Sequence, residues 1–203
     1  MADARNTVDE PQRKREREED LWFDDGSVIL VAQDREFRVH RSLPSRDSLH
    51  DCAVVLLSDD AGYLRSLLSV IYDRDFYKES SLDRMAYHER VEISTGVMCL
   101  AHKYDMNDLF SEAYSRLQEI YPMSLYTFTR LGHVHSDMHA RIGGSAALLR
   151  LTNAARAIPA PELNTMLPTL FYLCAQLEDE VLLNGAPRED GTLERLQPIT
   201  LAP

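Results

Sequence analysis

Between residues 133 and 139 the chain reads His133-Val134-His135-Ser136-Asp137-Met138-His139, three imidazoles and a carboxylate within seven residues. Such donors suit zinc, and a zinc-bound water is a hydrolytic nucleophile at neutral pH. On a helix His135 and His139 share a face at i and i+4, while His133 does not join them. The flanking pattern is helical and supplies no strands to fix three ligands around one ion. The expectation is a solvated polar segment with no metal and no cofactor. Other chemistry is thin. There is no phosphate-binding Gly-x-x-x-x-Gly-Lys and no dinucleotide fingerprint. Gly143-Gly144-Ser145-Ala146-Ala147 lacks the closing glycine and the preceding strand of a nucleophile elbow. His40 ends a strand pattern and is expected to hydrogen-bond into the helix after it. His102 reads as structural and His88 as solvated. Asp59-Asp60 is explained by helix capping, since acids suit the positive end of a helix. A non-enzyme is expected.

The elements that would position these groups begin at Asp25-Gly26, a turn pair. Val28-Ile29-Leu30-Val31-Ala32 is a continuous apolar run and reads as a strand buried on both faces. Gln33-Asp34 interrupts it. Then Glu36, Phe37, Arg38, Val39 and His40 alternate out and in, the period of a half-buried strand. The two runs form a β-hairpin. Ala53-Val54-Val55-Leu56-Leu57 is a third strand. Ser58 is a natural N-cap for the helix after it, with Leu64, Leu67, Leu68, Ile71 and Tyr72 on one stripe. Asp73 to Arg90 lacks an apolar period and reads as a long surface loop. Ser94 or Thr95 would cap the next helix, with Val97, Leu100, Ala101 and Tyr104 inward. A further helix carries Leu109, Phe110, Ala113, Leu117 and Ile120, and Pro122 stops it.

A second helical block fills 124–183. Leu125, Phe128 and Leu131 suggest one helix. Ala147, Leu148, Leu151, Ala154, Ala155 and Ile158 suggest another after the Gly143-Gly144 break. Pro168 belongs in a first turn, so the next helix should start near Met166. Asn184-Gly185 closes it. This divides the chain into a disordered charged tail (1–20), a mixed domain (21–122), a helical extension (123–185) and an irregular tail (186–203).

The 203 residues are 44% hydrophobic, enough for a real core, and carry a net charge of −11. An acidic chain does not neutralise phosphates, so nucleic acid is not an expected partner. No apolar run reaches membrane-spanning length, and the N-terminus is charged where a signal peptide would be apolar. The three cysteines are odd in number and widely spaced, which points to a reducing compartment. An intracellular protein, cytoplasmic or nuclear, is expected, without membrane contact. The interleaved charges of Arg13 to Asp20 make a weak nuclear-localisation pattern.

The run DGSVILVAQDREFRVHRS, followed by VVLLSDD, LRSLLSVIYD and LAHKYDM, resembles the BTB/POZ domain, in the form found in fungal BTB proteins. Asp25-Gly26 stands where that family opens its first strand. Phe37-Arg38-Val39-His40-Arg41 stands where its second strand ends, and Leu57-Ser58-Asp59 where its third strand ends. The similarity covers residues 21–122. The stretch from Asn153 to Cys174 is similar to the helical extension of those proteins. The resemblance implies an α+β fold, a small BTB-like sheet with surrounding helices followed by an all-α extension. It implies a non-catalytic protein–protein interaction module, a scaffold or regulatory adaptor.

Two departures from the pattern matter. The family carries a further helix before the third strand, yet here only Leu49-His50-Asp51-Cys52 lies between Ser48 and Ala53. At about 1.5 Å per residue that is too short for helix plus loop. The family's homodimer is built partly there, so a homodimer is expected only with a compromised interface. Adaptors of cullin-type ubiquitin ligases carry a hydrophobic-x-acid triplet at Leu64-Arg65-Ser66, where the acid is missing. A cullin adaptor is thus the alternative reading, with Leu64 and Arg65 as its protein-binding residues. Exposed faces of the helices at 59–73 and 107–121, with the 74–90 loop, are the expected contact surfaces. The remote alternative is a metal-dependent hydrolase. The His133–His139 run resembles the His-x-His-x-Asp-His of metallo-β-lactamase-like hydrolases with one residue inserted.

Overall fold

The computed structural model describes residues 15–41, 52–73, 75–78, 84–121, 144–188 and 190–198. The expected helix over Leu125–Leu131 and the His133–His139 cluster lie outside them. The fold is α+β, and the described residues form a small mixed sheet and six α-helices. Contacts divide the chain into two compact units, Met1–Ala61 and Gly62–Pro203, a boundary that falls inside the 21–122 segment.

The first unit is a four-stranded sheet of β1 (Glu16–Trp22), β2 (Val28–Ala32), β3 (Arg35–Val39) and β4 (Ala53–Leu57), in the spatial order β1-β3-β2-β4. β2 and β3 are antiparallel neighbours, Val28 opposite Val39 and Ala32 opposite Arg35. Two residues, Gln33 and Asp34, make the turn, and Gln33 takes φ 54°. Left-handed backbone is uncommon outside Gly, Asn and Asp. Here the Gln33 side chain is put to use, its Oε1 accepting the Ala61 N–H at 3.2 Å. β4 runs parallel to β2, Val28 opposite Ala53 through Ala32 opposite Leu57.

The alternation read for β3 is present, with Phe37 and Val39 buried and His40 exposed. β2 differs from expectation. Val31 and Ala32 are buried, while Val28, Ile29 and Leu30 are only half-buried. The charged tail also ends sooner than its composition suggests. Glu16–Asp20 belongs to β1, parallel to β3, because Arg35 bridges Glu16 at 3.6 Å and Glu18 at 3.3 Å.

The second unit begins within α1 (Ala61–Tyr72). Ser58 lies three residues before its first turn, so it is not the N-cap. Leu64, Leu67 and Leu68 are buried as read, but the stripe continues through Val70, leaving Ile71 and Tyr72 exposed. α2 (Tyr87–Lys103) starts well before Ser94, and the surface loop ends earlier than read. Glu89 begins it by accepting the Ala86 N–H at 2.9 Å. Ser94 and Thr95, read as caps, are buried in its middle. They stand beside Gly96, where a Cβ would lie 2.7 Å from the Tyr63 ring and 3.1 Å from Tyr63 Cα. The missing side chain is what lets α1 and α2 approach.

An Asp105 turn at φ 57° leads into α3 (Asn107–Ile120), which buries Phe110, Ala113, Leu117 and Ile120. Tyr104 lies beyond the end of α2 and is exposed. α4 (Ser145–Ala157) follows Gly144, buries Leu148, Leu149 and Leu151 completely, and packs on α2 and on α5 (Leu167–Cys174). Pro168 sits in the first turn of α5. α6 (Asp179–Asn184) ends at Gly185. The irregular tail needs correction too, because β5 (Ala186–Pro187) and β6 (Leu193–Glu194) pair antiparallel. No helix among the described residues is long and apolar enough to cross a membrane.

Candidate protein-docking surface

The two margins of the sheet are built differently. β1 carries Glu16, Arg17, Glu18, Glu19 and Asp20, and its register shifts between Arg17 and Trp22. Arg35 pairs with two of those acids, and the Arg17 guanidinium stacks over Trp22 at 4.4 Å. Charges and irregular register stop an edge from recruiting another strand.

β4 has neither protection. Ala53-Val54-Val55-Leu56-Leu57 contains no charge, no proline and no break in its ladder with β2. Among the described residues no strand lies on its outer side. Successive side chains point to opposite faces, yet Val54 (56% exposed), Val55 (40%) and Leu56 (70%) are all open. Covering a fully exposed Val or Leu is worth about 1.5–3 kcal/mol. The strand therefore offers a partner backbone hydrogen bonds and apolar contacts on both faces, the two ingredients of strand addition. The sequence reading identified this strand but did not single out Val54 and Leu56.

The mouth of the hairpin is fixed by polar contacts. The His40 Nε2 stands 3.0 Å from Asp25 Oδ1, and its ring lies 5.2 Å from Phe23. That hydrogen bond holds the Asp25 carboxyl below the usual carboxylate range. His40 thus contacts the opening turn; the helix expected after it lies outside the described residues. Arg38 Nε donates to the Gly26 carbonyl at 3.0 Å, and the Cys52 thiol reaches the same oxygen at 3.3 Å just before β4 begins.

The residues read as protein-binding are separated by exposure. Leu64 is 3% exposed and belongs to the core, so it is no contact residue. Its neighbour Arg65 is exposed and lines a hollow of about 380 Å³ with Phe76, Met85, Glu92 and Arg150. A second hollow, about 870 Å³, is lined by Ile71, Asp105, Asp108 and Glu112. Beside it Tyr77 is buried, donating to Ser94 Oγ at 3.1 Å beneath the Arg116 guanidinium at 4.5 Å. Burial pushes the Tyr77 phenol up to about 12. His102 lies on the exposed side of α2, 5.9 Å from the Phe110 ring. Cys174 is buried with its thiol pushed up by burial, so it is a poor nucleophile. Among the described residues no group of three His, Cys, Asp or Glu side chains could hold a metal ion.

No protein-family model matches the chain, and neither a curated protein nor a solved structure does.

Proposed function

We propose that the chain is a non-catalytic protein–protein interaction module, a scaffold or regulatory adaptor of BTB type, which takes an extended segment of its partner alongside β4. The observation that carries this reading is the unprotected apolar edge at Val54–Leu56, in the same sheet whose other margin is charged. The element order supports it too. A hairpin, then a parallel strand ending at Leu57-Ser58-Asp59, then a leucine-lined helix is the order the resemblance implies.

Affinity purification of the tagged full chain from its native cells, with mass spectrometry, tests the proposal. A Val54→Lys/Leu56→Asp double variant serves as the comparison, and Tyr172→Asp on the exposed side of α5 as the control. The expected result is a stoichiometric partner that the control keeps and the double variant loses. An identical set of partners on all three proteins overturns the β4 assignment. A cullin in that set, lost on Arg65→Glu, would favour the ligase-adaptor alternative. Leu64→Asp cannot decide that question, since it buries a charge in the core.

A further inference from the structure

Beyond β6, residues 195–198 follow α4, and the contacts that hold them go mostly to their backbone. Asn153 donates from Nδ2 to the Arg195 carbonyl at 2.8 Å and accepts the Gln197 N–H on Oδ1 at 2.9 Å. One side-chain amide meets the carbonyl of one residue and the N–H of the residue two further on. A neighbouring strand would offer the same pairing. Arg156 adds a bond from Nη1 to the Gln197 carbonyl at 2.6 Å. None of these three bonds depends on which side chains the strap carries. Two contacts do: Asn153 Nδ2 also reaches the Glu194 carboxylate at 2.9 Å, and Arg195 Nε donates to the Asn184 carbonyl at 3.0 Å.

Apart from these bonds, the strap is held at its start by the pairing of Glu194 with Ala186 in the β5–β6 ladder. Leu193, Arg195, Gln197 and Pro198 are exposed, and only Glu194 and Leu196 are half-buried. The backbone entropy lost in ordering each residue is comparable to what one hydrogen bond returns. The backbone bonds made by Asn153 and Arg156 are therefore largely offset by the ordering they impose. Gly191, at φ 79°, lies in the turn between β5 and β6, its N–H donating to the Arg188 carbonyl at 3.0 Å.

We propose that the Asn153–Arg156 face of α4 is a docking site for an extended peptide segment bearing an acidic residue, and that residues 194–198 fill it in cis as a displaceable strap. The partner it fits is a protein with an exposed, extended, acidic segment, read mainly through its backbone. This site is separate from β4 and does not depend on the function proposed for that edge.

The test uses the full chain and a fluorescent peptide of the sequence Gly-Thr-Leu-Glu-Arg-Leu-Gln-Pro, residues 191–198. Gln197→Pro removes the N–H that Asn153 accepts and leaves α4 unaltered. A strap that competes in cis lowers apparent affinity by the fraction of time the site is free. Anisotropy titration should show the peptide binding Gln197→Pro about tenfold more tightly than the wild type. The gain should vanish when Asn153→Ala is added, and when the peptide's glutamate is replaced by lysine. Equal binding to wild type and Gln197→Pro, or a gain that survives Asn153→Ala, overturns the proposal. Hydrogen exchange on the unaltered chain is a second check. The Gln197 amide should exchange about 100-fold ahead of Ala154 and Ala155 in α4. Exchange at a common rate would make the strap a fixed part of the fold and also overturn the proposal.

Discussion

Among the described residues the sheet unit leaves its apolar edge at β4 open, whereas the helical unit closes a backbone-reading face on α4 with its own chain. Each place can add an extended segment, but by different chemistry. β4 offers a run of main-chain groups flanked by Val54, Val55 and Leu56. α4 offers one asparagine amide and one guanidinium. The difference shows how an edge can be managed. A polar clamp is easily satisfied by a nearby stretch of the same chain. An apolar strand edge calls for a partner that brings both hydrogen bonds and surface.

The two units carry separate spectroscopic reporters. Trp22 is the chain's single tryptophan and lies in the sheet unit, whereas all nine tyrosines fall in the helical unit, from Tyr63 to Tyr172. The contrast can therefore be broken one side at a time. The largest effect is expected from Phe37→Ala, which removes a fully buried ring from β3. It should cost about 3–5 kcal/mol in denaturant titrations followed by Trp22 fluorescence, and abolish partner capture with it. Gly96→Ala should come next, because its methyl would overlap the Tyr63 ring. A cost of about 1–3 kcal/mol from overpacking is expected, partly offset by better helix propensity, and read in the tyrosine signal.

Alkaline titration sharpens the contrast further. The Tyr77 phenol is raised from 10.0 to about 12, so the folded state holds that proton where the unfolded state releases it. Its contribution is complete below pH 10 and is lost as pH rises through about 12. Ultraviolet titration should show two tyrosines, Tyr77 and the fully buried Tyr121, resisting ionisation until the helical unit opens, and Tyr77→Phe should remove one of the two from that late step. The smallest effect is expected at the opposite end of the scale. Asp25 lies below its usual range through His40, so its contribution exists above that range and is lost on acidification. Both partners are exposed, and Asp25→Asn should leave the denaturation midpoint close to the wild-type value, with any change shrinking further in salt.

Periodicity made the hairpin, the Leu64–Leu68 stripe and the α4 face legible, because each rests on apolar residues at the spacing of its element. It failed where small polar residues do the packing. Ser94 and Thr95 read as helix caps because of their residue types, yet they lie buried in the interior of α2, Ser94 bonded to Tyr77 and both beside Gly96, which lies against the Tyr63 ring. β1 was hidden for a related reason. Its residues are charged, and Arg35, from a strand further along, pairs with two of its acids. The edge at β4 was invisible because an apolar strand looks the same in sequence whether one neighbour or two will cover it. Asn153 carried no signal either, since its partners stand more than forty residues away.

The docking account rests on β4 receiving a strand. Amide hydrogen exchange of Val54, Val55 and Leu56, in the free chain and in the complex with the captured partner, tests it most directly. About tenfold or greater slowing of β4 amides on binding, with β1 amides unchanged, is the predicted result. A saturated complex in which β4 exchanges as fast as in the free chain would contradict it.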